Sequence, residues 1–166
     1  MSEAQHLSTS LKRLFFGSTV GVFAPFEAAT DGMTAAQAAA VPAPRFNSVW
    51  GIVNHVWFWQ ESLLRLLRDQ PADHHLLGAP DGSGWPPAGD PNGESEWQAA
   101  RQRALDVNAG LAEFVARLTD EELAQTLTSW NGPKHRAVQS IIAHNSYHTG
   151  EIICVRHMQG LWLENT

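Results

Sequence analysis

Two histidines four residues apart, His144 and His148 in "HNSYHTGEI", stand in a segment with the apolar periodicity of a helix. Residues at i and i+4 share a helix face and can close on one cation, since imidazole nitrogens bind zinc at about 2.0–2.1 Å. The spacing alone is weak, because eight histidines in 166 residues give about 0.4 such pairs by chance. Position on the helix adds more. At about 100° per residue both fall on a stripe with Ile141, Ile152 and Val155, so both imidazoles face the core. An unpaired polar group there is costly. His55, in "NHVWFWQ", lies on a comparable stripe with Ile52, Trp59, Ser62 and Leu66. Helical bundles build metal sites from side chains on facing helices. His55, His144 and His148 are therefore the expected ligands of one divalent ion, against the competing reading of ordinary core histidines with hydrogen-bond partners.

Glu151 lies one turn beyond His148. It could act as a general base on a water at the metal, or accept a hydrogen bond from a ligand imidazole. Cys154 projects away from the histidine stripe and reads as a small buried hydrophobe rather than a nucleophile. Tyr147 is about 100° off the stripe, which suits packing or the surface. Ser62 shares the His55 face but has no activating base in the pattern. His6, His74, His75, His135 and His157 are expected to be solvated. No phosphate-binding glycine loop, His-Glu-x-x-His or paired-carboxylate signature is present.

These residues must be positioned by helices, since four long stretches carry helical periodicity and nothing alternates convincingly at period two. The first runs from about Glu3 to Phe23, with Leu7, Leu11, Leu14, Ser18 and Val22 on one face and Gly21 and Pro25 as terminators. Thr34 and Gln37 form a capping-box pattern for a short helix through Ala40. Asn47 or Ser48 caps the second long helix, which reaches about Asp69. The third spans about Ser95 to Leu118. The fourth starts near "NGPKHR", with Asn131 as cap and Pro133 in the first turn, and ends at Gly160. Between the second and third lies a Pro/Gly-rich connection, residues 71–94, of a length typical of lids and crossovers. Its reach frees the second and third helices from being antiparallel neighbours. Trp85 in "SGWPP" could close over a ligand or collapse onto the bundle.

Length fits one domain over residues 1–166. A formal charge of −6 with eleven scattered Lys and Arg argues against nucleic acid and anionic membrane surfaces. One cysteine excludes an internal disulfide and suits a reducing cytoplasm. The stretch after Lys12 and Arg13 loosely imitates a signal peptide, but Glu3, Ser18, Thr19 and Pro25 interrupt the pattern. About 180° from His55, the second long helix carries another apolar stripe of Val53, Trp57 and Leu64, flanked by Val49 and Leu67. A helix apolar on two sides needs two partners. A homodimer through this stripe is expected, unless the long connection or the segment after the first helix covers it.

"SVWGIVNHVWFWQESLLRLL" and "KHRAVQSIIAHNSYHTGEII" resemble the two signature helices of the DinB superfamily. The resemblance implies an all-α four-helix bundle, up-down-down-up, with a long crossover between the second and third helices. It also implies one divalent metal on His55, His144 and His148: zinc or nickel foremost, with iron or manganese as further candidates. The implied activity is that of a metal-dependent hydrolase or a thiol-dependent S-transferase using a low-molecular-weight thiol. The alternative is a non-catalytic, stress-related bundle with a structural metal. Many relatives read Tyr-His-Arg-Gly-Gln where this chain has "YHTGE". That change removes a cationic contact and leaves the substrate undetermined.

Overall fold

The computed structural model describes residues 1–17 and 24–163. It is predominantly helical, with a two-stranded sheet of two residues per strand. Helix α1 (Glu3–Phe15) begins in a Ser2/Gln5 capping box. It stops earlier than the periodicity predicts, because Phe16 is extended and Gly17 sits at φ +109, in the region that favours glycine. Ser18, Gly21 and Val22 lie outside the described residues. Two short helices follow, α2 (Phe26–Thr30) and α3 (Ala35–Ala39). Pro25, expected as a terminator, is the N-cap of α2, whereas the Thr34/Gln37 box caps α3 as read.

Ser48 caps α4 (Val49–Leu67), its hydroxyl accepting from the Gly51 amide at 3.1 Å. Helices α5 (Glu94–Val115), α6 (Asp120–Ala124) and α7 (Lys134–Met158) complete the set. Strands β1 (Thr126–Leu127) and β2 (Gly132–Pro133) pair around a 3-10 turn at Thr128–Trp130. Asn131 therefore does not cap α7. It takes the left-handed conformation (φ 52) that closes this hairpin, and Pro133 stands at the N-cap.

Helix α4 packs on α5 and α7, and α1 packs on the same two. Along α4 and α5, Asn54 meets Arg103 and Gln60 meets Asn108, pairs that ascend together. One core cluster joins Phe15, Phe26, Ile52, Trp97 and Ile152. The other joins Leu11, Leu63, Leu111, Val138 and Ile141. At the first cluster's edge the buried Arg156 donates to the carbonyls of Ala29 (2.9 Å) and Asp31 (2.8 Å), tying α2 to α7.

The second stripe of α4 has its partner inside the chain. Val49, Val53, Leu64 and Leu67 are buried, clustered with Trp97, Ala104, Val107 and Leu111 of α5. The Arg103 guanidinium lies 3.9 Å over the half-buried Trp57 ring. Most of that stripe is thus covered by α5, while Trp57 stays half-buried. The 71–93 connection covers a further side, burying Leu77 and Ala79 against Phe58. None of the 19 residues of α4 is exposed. No helix among the described residues is long and apolar enough to cross a membrane.

Candidate metal centre

His55 stands near the middle of α4 and is 6% exposed. Its Nδ1–H donates to the Gly84 carbonyl at 2.6 Å, since a carbonyl can only accept. Trp85 stacks on the ring, centroids 3.7 Å apart and planes 10° from parallel. The long connection thus supplies both a hydrogen-bond acceptor and a cover for one imidazole. Gly84 sits at φ +69, and a Cβ there would lie 2.9 Å from the Trp59 ring, so both conformation and space demand glycine. Burial pushes the His55 pKa down to about 4; the Gly84 carbonyl opposes the shift, and the neighbouring imidazoles add to it. At neutral pH the ring is uncharged, and with Nδ1 protonated its Nε2 presents a lone pair.

Helix α7 brings the other two. The Nδ1–H of the buried His148 donates to Glu151 at 2.7 Å, and the second oxygen of that carboxylate accepts from Asn47 Nδ2 at 3.2 Å. His144 is half-buried and donates from Nδ1 to Asn145 Oδ1 at 3.3 Å. Its pKa is lowered by burial, opposed by the Asn145 bond, with His148 adding a smaller push. His144 Nε2 faces His55 Nε2 at 3.1 Å, and one donor nitrogen from each of the three rings lies within 4.8 Å of the others.

This arrangement fits a cation. Each Nδ1 has an acceptor of its own, which leaves the Nε2 lone pairs to converge. Two acceptor nitrogens at 3.1 Å repel unless a proton or a cation lies between them. Ligand nitrogens about 2.0–2.1 Å from a tetrahedral zinc would stand roughly 3.3 Å apart; the His55–His144 pair is close to this at 3.1 Å, while the set of three spans up to 4.8 Å. A carboxylate or carbonyl on the far nitrogen is also the usual support of a metal-binding histidine. The three-histidine group could hold a metal ion.

Compared with known families, residues 22–151 match the DinB superfamily. The chain belongs to the DinB superfamily. No curated protein and no solved structure matches it. The DinB match spans His55, His144 and His148 and ends at Glu151, leaving α1 and the last turns of α7 outside it.

Other side chains in this DinB chain fall differently from expectation. Cys154 is exposed rather than buried, on a face of α7 that no helix among the described residues covers. Tyr147 is exposed, its ring edge-on to His148 with centroids 5.0 Å apart. His74 is not solvated: it packs edge-on to Phe58, and its Nδ1 is buried with no protein partner. His157 stacks on Trp162 at 4.2 Å and is likewise half-buried. Thr149 is buried and donates to the Asn145 carbonyl at 2.8 Å. Gly84 and Asn145 were not singled out by the sequence, which offers Asn47 only as a possible cap of α4. Asn145 had a signal, a polar residue beside His144, whereas Gly84 had none beyond "SGWPP".

Proposed function

We propose that His55, His144 and His148 hold one divalent ion and that the protein is a metal-dependent enzyme of the hydrolase or thiol-transferase type. One observation carries this reading: each imidazole has its Nδ1 engaged, by Gly84, Asn145 and Glu151, so that the opposite nitrogens are free to meet. An all-imidazole set suits zinc or nickel and admits iron or manganese. With three protein ligands, the ion would supply a Lewis acid with an open position.

The chain's own groups do the rest. The Gly84 carbonyl fixes the tautomer of His55, and Trp85 keeps water off one face of its ring. Glu151 fixes the tautomer of His148 while Asn47 holds the carboxylate, which makes Glu151 a positioning residue. A general-base role would require Glu151 to leave His148 and reach a water directly. His144 is the most open of the three and marks the approach for substrate or a low-molecular-weight thiol. The exposed single thiol of Cys154 fits a reducing cytoplasm.

The competing reading is a structural ion tying α4 to α7, favoured by the Trp85 cover on His55. Elemental analysis of protein purified without a histidine tag tests the metal: one ion per chain is expected. His55→Ala or His148→Ala should lose it, and the exposed His75→Ala should keep it. Protein that stays metal-free in excess zinc, nickel and manganese overturns the proposal. Azide should perturb the spectrum of a cobalt-substituted sample; a spectrum indifferent to azide favours the structural ion.

A further inference from the structure

The accessible side of the triad is not bare solvent. A cavity of about 260 Å³ adjoins His144, lined by Trp59, Trp130, Ser140 and Ile141. We propose that this cavity is the substrate pocket of the centre and that it selects an uncharged molecule carrying one apolar group of about aromatic-ring size. The proposal rests on the metal-centre reading above.

Access argues for this side. His55 is closed by Gly84 and Trp85, and His148 is 6% exposed, whereas His144 is half-buried and borders the cavity. The walls argue for the ligand class. Trp59 of α4 and Trp130 at the hairpin turn meet edge to face, centroids 6.4 Å apart and planes at 89°. Ile141 stands one turn before His144. Such walls take up aliphatic or aromatic groups. No charged side chain lines the cavity among the described residues, so a phosphate or carboxylate would find no counter-charge there. Ser140, the one hydroxyl in the wall, already donates to the Arg136 carbonyl at 2.9 Å. The volume lies just below the roughly 300–1,000 Å³ of drug-sized sites, which sets a fragment-sized limit.

Acetohydroxamic and benzohydroxamic acids share one metal-binding head and differ by methyl against phenyl. On cobalt-loaded protein, followed by its visible spectrum, the phenyl compound should bind at least about tenfold tighter, the value expected for burying a ring. Ser140→Trp, which fills the cavity from an exposed position, and Trp130→Ala, which removes a wall, should each bring that ratio toward one. Equal affinities in the wild type, or a ratio unchanged by both substitutions, overturn the pocket while leaving the metal centre standing. A second arm needs no metal: benzamide is titrated into metal-free protein by saturation-transfer NMR. Binding that Ser140→Trp abolishes supports the pocket even if cobalt fails to bind, which would sink only the metal reading. No benzamide signal in either protein, together with no cobalt response, overturns the pocket as well.

Discussion

Burial holds His55 neutral in the folded chain, with a pKa of about 4 against 6.5 for a free histidine. Between those values the unfolded chain binds a proton that the folded chain does not, so folding stability rises with pH across the window. The metal-free protein should be fully stable with respect to this group above about pH 6.5 and lose up to about 3 kcal/mol as pH falls toward 4. Urea titrations at stepped pH would measure the slope, and His55→Gln should remove its share of it. Glu151→Gln keeps the shape of the side chain but weakens the acceptor for His148, so metal affinity should fall roughly 10–100-fold. If affinity is unchanged, the carboxylate does not support the ligand. The triad was legible because helical periodicity and the cost of burying polar groups both act locally. The partners were less so: Gly84 meets His55 from 29 residues away, inside the aperiodic connection.

At the scale of elements, the long connection is held to α4 by close backbone approach. The Pro87 carbonyl accepts from Asn54 Nδ2 at 2.7 Å, and a Cβ on Gly89 would overlap the Trp50 ring. Gly84→Ala should therefore cost more than the 1–2 kcal/mol of a left-handed alanine and loosen the His55 support, lowering metal affinity at least about tenfold. Gly82 is the control. It has φ 76 with open space around it, so Gly82→Ala pays the backbone cost alone and leaves metal affinity intact. Thermal melts and zinc titrations of the two variants separate strain from support. The existence of the long helices could be read from their period, and Ser48 from its capping chemistry, but ends were less legible: α1 stops at Phe15 and Asn131 does not cap α7. Helix α6 was not read, although its Thr119/Glu122 capping box has the same form as the one that located α3. Five-residue helices carry too little periodicity to stand out.

Across the whole molecule, α4 is packed by α5, by α7 and by the 71–93 connection; none of its residues is fully exposed, although Glu61 and Arg65 keep partial access to solvent. The sequence disclosed both apolar stripes but not which surface covers the second, because that depends on where α5 comes to rest. Trp57→Glu should leave the mass measured by sedimentation equilibrium unchanged, since Trp57 is spoken for by Arg103 within the chain. A dimer dissociated by that substitution would restore the outer face of α4 as an interface. The enclosure of α4 also bears on hydrogen–deuterium exchange. Backbone amides at the centre of a helix packed by three neighbours should exchange through opening of the whole chain rather than by local fraying. Their exchange free energy then reports global stability, and any ion bound only by the folded chain must raise it by RT ln(1 + [L]/Kd). The central amides of α4 are a gauge, built into the fold, of whatever the three histidines hold.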